Sequence, residues 1–145
     1  MIAAFLLAAC AAAVTQEAPA PVVWESLAPV PDAVGFGGPF VAALEGPTGE
    51  SRLLVAGGAN FPDAPPWEGG AKVWYADTWV FDGQVWAAGP PLPEPRAYGA
   101  VVHLDGRARL IGGGDGERAT SEVLIADLDE GGTVRFTAGP TLPAP

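Results

Sequence analysis

The chain carries one pattern twice. Pro39-FVAALEG, SRLLVAGG ending at Gly58, ADTWVFDG and QVWAAGPPLP ending at Pro93 form the first copy. Arg96-AYGAVVHLDG, RARLIGGG ending at Gly114, SEVLIADLD and TVRFTAGPTLP ending at Pro143 form the second. Each copy holds four short, mostly alternating apolar runs separated by Gly, Asp or Pro, which is the signature of strands joined by tight turns. Trp86 to Phe136 and Leu92 to Leu142 are both 50 residues apart, while Gly57 to Gly113 is 56, so the first copy carries an insertion. A repeat of this length must bury its apolar faces against its own neighbours.

Composition agrees with an all-β reading. The 20 Gly and 16 Pro make up about a quarter of the 145 residues, a level at which disorder competes with folding. Five Trp, six Phe and two Tyr among runs of Val, Leu and Ile supply enough apolar surface to decide for a fold. The net charge of −10, from 7 basic and 17 acidic residues, excludes nucleic acid as a partner, since nothing here neutralises a row of phosphates. The acidic residues are spread along the chain and read as a solvated surface.

Four antiparallel strands at this period make one blade of a β-propeller. The double glycine after the second strand permits a sharp turn and close packing. The aromatic of the fourth strand, Trp86 or Phe136, anchors the outer edge, and Leu-Pro ends the unit. The pattern resembles the kelch repeat over about residues 22–145. The expected fold is therefore a partial kelch-type β-propeller: an orphan outer strand over 22–31, blade 1 over 32–93, blade 2 over 94–143, and the start of a missing third blade at 144–145. Segment 22–31, VVWESLAP at its core, aligns with the two fourth strands and would close the last blade of a ring.

Residues 1–13, MIAAFLLAACAAA, are apolar, small and uncharged, too short to span a bilayer as a helix, and read as the hydrophobic part of an export signal. Leu7-Ala8-Ala9-Cys10 resembles the bacterial lipobox, which makes Cys10 a lipid-attachment site. Cleavage after an Ala-x-Ala site is the alternative. The expected location is the periplasm or outer membrane for a lipoprotein, or secretion otherwise, with 14–21 as a tether. Cys10 is the only cysteine, so the folded part holds no disulfide.

LLVAGGANFPDAPPWEGGAKVWYADTWVFDG followed by PEPRAYGAVVHLDGRARLIGGG is similar to the N-acetylneuraminate epimerase family, and more narrowly to its cyclically permuted mutarotase branch. The resemblance implies a six-bladed periplasmic propeller, an isomerase acting on sialic acid or a related sugar acid without cofactor or metal. It also implies a catalytic glutamate on a blade beyond Pro145, so no residue here is assigned that role and the fragment alone is expected to be inactive. The alternative is a non-enzymatic kelch module binding a glycan or protein at the cell surface.

Candidate substrate-binding residues sit at the ends of strands. The long connection from Asn60 to Ala76 carries Asn60, Trp67, Glu68, Lys72, Trp74 and Tyr75, aromatic faces for a sugar and polar groups for its hydroxyls. Trp67 and Trp74 equally fit a role in packing the loop on the rim. Arg96, read as opening the innermost strand of blade 2, is the candidate for a carboxylate contact or, alternatively, a structural arginine bonded to carbonyls. Tyr98 is two residues on and expected on the same strand face, as packing or substrate contact. His103 is the only histidine and has no partners for a metal. With the only cysteine in the signal segment, a copper-radical oxidase is excluded. Gly112-Gly113-Gly114-Asp115-Gly116 lacks the following Lys-Ser/Thr of a phosphate loop and reads as a strand turn.

Overall fold

The computed structural model describes residues 21–143, and the lipid-attachment candidate Cys10 with the rest of the signal segment and most of the tether lie outside them. Ten strands follow in order: β1 (Phe40–Glu45), β2 (Ser51–Ala56), β3 (Ala59–Asn60), β4 (Val73–Trp74), β5 (Thr78–Phe81), β6 (Trp86–Ala88), β7 (Ala100–Leu104), β8 (Arg107–Ile111), β9 (Val123–Leu128) and β10 (Val134–Ala138). They pair antiparallel into two four-stranded sheets, β1-β2-β5-β6 and β7-β8-β9-β10, and a two-stranded sheet of β3 and β4. Both large sheets are propeller blades in the strand order that the repeat predicts. Short turns over 46–50, 82–85, 105–106 and 129–133 make the four blade hairpins.

The blades share one core. Alternation along β1 buries Phe40, Ala42 and Leu44 and turns Val41, Ala43 and Glu45 outward. Phe40 pairs across the ladder with Ala56 and Ala42 with Leu54, which places these four side chains on one face. Against them pack Ala108 and Leu110 of β8, with Leu124, Ala126 and Leu128 of β9. His103 joins the two sheets from the side, its Nε2 donating to the Ala43 carbonyl at 2.9 Å. The opposite face of blade 2, with Val102 and Leu104, is exposed among the described residues.

The glycine pairs turn as expected, but in a different register. Gly57 and Gly112 donate to the equivalent carbonyls of Asp77 and Glu122, and Gly58 and Gly113 accept from Tyr75 and Thr120, so the structural offset is 55 residues. All four have positive φ, between 63° and 106°. Three consecutive glycines in the second copy allow either alignment on paper. The left-handed turn selects the first two.

Segment 22–31 pairs with none of the strands among the described residues. It joins no ladder, and Val22, Val23, Leu27 and Trp24 are exposed, Trp24 at 91%. An outer strand exists only by pairing with a sheet edge, and the segment's one described tie to blade 1 is the Trp86 indole N–H donating to the Ala28 carbonyl at 2.8 Å.

Candidate functional site

Antiparallel order sends one set of connections to one end of both blades: 31–39 before β1, 57–77 between β2 and β5, 89–99 between the blades and 112–122 between β8 and β9. The insertion in 57–77 folds as the β3–β4 hairpin with a 3-10 turn at Pro66–Glu68. Asn60 ties it down: its Nδ2 donates to the Gly35 carbonyl at 2.8 Å, and its Oδ1 accepts from the Tyr75 hydroxyl at 2.7 Å. Tyr75 in turn meets Phe36 edge to face, ring centroids 5.4 Å apart. A buried polar group with partners on both sides is stable and directional.

The hairpin, the 31–39 segment and Tyr98 wall a cleft of about 770 Å³. Asn60, Trp67, Asp63, Phe61 and Lys72 line it, and Trp67 is 81% exposed. Lys72 is surrounded by aromatic rings, its Nζ 4.4 Å from the centroid of Tyr98, 5.2 Å from Trp74 and 5.8 Å from Phe61. Tyr98 is not part of a strand. It stands before β7 at φ 63°, a left-handed conformation that a bulky residue adopts only when its surroundings impose it. The alternation that would have put Tyr98 on the same strand face as Arg96 therefore does not apply. Its ring rests on Gly38, where a Cβ would come within 2.4 Å of it, and its N–H donates to the Gly38 carbonyl at 2.8 Å.

Arg96 lies below this surface. It precedes β7 rather than opening it, is 1% exposed, and donates from Nη2 to Glu122 at 2.6 Å, while Nε and Nη1 have no partner among the described residues. Its backbone stitches the blades together, donating to the Tyr75 carbonyl at 3.1 Å and accepting from Gly58 at 2.9 Å. Beside it Arg118 pairs with Glu94 at 3.1 Å and lies 4.0 Å from Asp115. Backbone N–H groups of Arg118 and Glu117 donate to Asp115 and hold its carboxyl below the ordinary value of 3.8.

The structure thus brings Asn60, Trp67 and Tyr98 onto one cleft. Glu68 ends the 3-10 turn on the exposed side, outside the cleft lining, and Arg96 is interior. The aromatic enclosure of Lys72 was not foreseen, because Tyr98 reaches it from another blade and no spacing along the chain encodes that approach. The Glu122 partner of Arg96, 26 residues away, was missed for the same reason.

No protein-family model matches the chain. It is 37% identical over 97 residues to N-acetylneuraminate epimerase of Brucella suis (strain ATCC 23445 / NCTC 10510), a match covering 60% of this chain and 25% of that protein. N-acetylneuraminate epimerase of Brucella melitensis biotype 1 matches with the same identity and coverage. The chain therefore spans about a quarter of the length of the curated relatives it matches. Among solved structures, that of YjhT superimposes with a TM-score of 0.65 at 25% identity, covering 79% of this chain and 34% of YjhT. The same blades emerge from the repeat, from the sheets and from the superposition on YjhT, and over the 97 matched residues the chain is similar to the N-acetylneuraminate epimerases.

Proposed function

We propose that this chain supplies two blades, and one wall of the substrate cleft, of a propeller that interconverts the anomers or epimers of N-acetylneuraminate or a related sugar acid. The observation that carries this reading is the 37% identity over 97 residues to proteins named for that activity. The cleft at the loop end of the blades supports it, with exposed Trp67 as a face for a sugar ring and Lys72 and Asp63 as charged groups. Mutarotation removes a proton from the anomeric hydroxyl while the ring oxygen gains one, and the opened chain recloses on the other face. It needs an acid and a base within hydrogen-bond reach and a cation for the carboxylate, but no redox or metal chemistry. In this reading the acid–base glutamate lies on a blade outside this chain, and the protein is exported and held at a membrane through Cys10.

The test is anomer exchange. N-acetylneuraminate is mixed with the full-length gene product, and α/β interconversion is followed by ¹H exchange NMR. Exchange well above the buffer rate is expected. A rate equal to buffer, with the sugar acid still bound, leaves a glycan-binding kelch module as the better account.

A further inference from the structure

We infer that Lys72 is the cation that fixes the carboxylate of a sugar acid in this cleft, an inference that rests on the sugar-acid reading above and narrows it to one residue. Lys72 is the chain's only lysine. Five of the six arginines are already within 4.0 Å of a carboxylate: Arg96, Arg107, Arg109, Arg118 and Arg135. Arg52 sits at the start of β2, at the far end of the blade, donating to the Ser51 carbonyl. Lys72 has no ion pair and no hydrogen-bond acceptor among the described residues, although Asp63 lines the same cleft. The buried Arg96, which the sequence favoured for this contact, is committed to Glu122.

The three rings explain how the ammonium is held without being neutralised. Their faces attract a cation and strip part of its water, yet they leave its N–H donors unspent. An arriving carboxylate then meets a positioned, partly desolvated charge. Tyr98 adds an independent sign. It is held in a left-handed conformation that costs conformational energy, against a glycine that leaves room for its ring, and 58% of its surface remains exposed. Strain kept at an open cleft marks a functional position more often than a packing one. A single cation beside exposed aromatic faces suits one carboxylate on a sugar, whereas a chain of net charge −10 disfavours polyanions.

Because the lysine is unique, reductive ¹³C-methylation of the chain places one side-chain label there, told apart from the N-terminal amine by its loss in Lys72→Gln. N-acetylneuraminate, glucuronate and the neutral sugar N-acetylmannosamine are then titrated in. The expected result is a saturable shift of the Lys72 methyl signal with N-acetylneuraminate and none with N-acetylmannosamine. On unmodified protein, Lys72→Gln is expected to weaken sugar-acid binding about tenfold or more, and Lys72→Arg to keep it within about threefold. Circular dichroism checks that both variants fold. Equal affinity of Lys72→Gln and wild type, or binding that leaves the methyl signal unmoved, overturns the assignment while the sialic-acid reading survives. A shift with glucuronate but not with N-acetylneuraminate upholds Lys72 and removes sialic acid as the substrate. No shift with any sugar acid overturns the assignment outright.

Discussion

At the scale of single residues, aspartates do the work of turns. Asp82 accepts from the backbone N–H groups of Val85 and Gln84, both at 2.8 Å, and Asp115 from those of Arg118 and Glu117, both at 3.0 Å. These bonds favour the ionised form and hold both carboxyls below their ordinary value of 3.8. A folded-state value depressed below the unfolded one contributes stability that is present above pH 3.8 and lost as pH falls through the folded value. Asparagine accepts the same two bonds without titrating. The double variant Asp82→Asn, Asp115→Asn is therefore expected to melt at a temperature that falls less steeply with acid below pH 3.8 than wild type, and a parallel decline would contradict this. Such turns were legible in advance, because Asp followed by Gly between apolar runs is a local signal. The left-handed Tyr98 was not, since its conformation is imposed by Gly38 and Lys72 from other segments.

Among the elements, the eight blade strands were readable from alternation and the β3–β4 hairpin was not, because two-residue strands carry no period. The 22–31 segment has the composition of a fourth strand, and the strands it was expected to pair with are not among the described residues, so it joins no ladder here. Arg96 shows the same limit for the site. Its place between two repeats was legible, but its burial depends on Gly57, whose missing Cβ would stand 2.3 Å from the Arg96 carbonyl. The connecting element should be sensitive to Arg96 and tolerant of Arg118. Arg96→Ala empties a filled interior position and is expected to cost about 2–4 kcal/mol in urea unfolding. Arg118→Ala breaks only surface pairs and should cost less than about 1 kcal/mol. Arg96→Met should recover much of the alanine loss, because the two unpartnered donors leave with the charge while the volume is kept. Equal costs for Arg96→Ala and Arg118→Ala would show that the interior guanidinium contributes no packing.

For the whole molecule, the shared core determines how the blades behave. Phe40, Ala42 and Leu44 are buried by β8 and β9, so neither blade has an interior without the other. Leu92 is buried where the connecting segment returns over blade 1, whereas Leu142, its counterpart in blade 2, is 42% exposed. The difference between equivalent positions measures what a covering neighbour supplies. It follows that the two blades should unfold together, and the distribution of tryptophan allows a direct test. Every one of the five tryptophans precedes blade 2, so fluorescence reports on the N-terminal part while far-ultraviolet circular dichroism reports on both sheets. Leu110→Ala, in blade 2 and fully buried against blade 1, is expected to cost about 2–5 kcal/mol. If the core is one unit, the fluorescence midpoint in urea moves down with the dichroism midpoint and by the same amount. A fluorescence transition that stays in place while the dichroism curve splits would mean that blade 1 holds its structure alone.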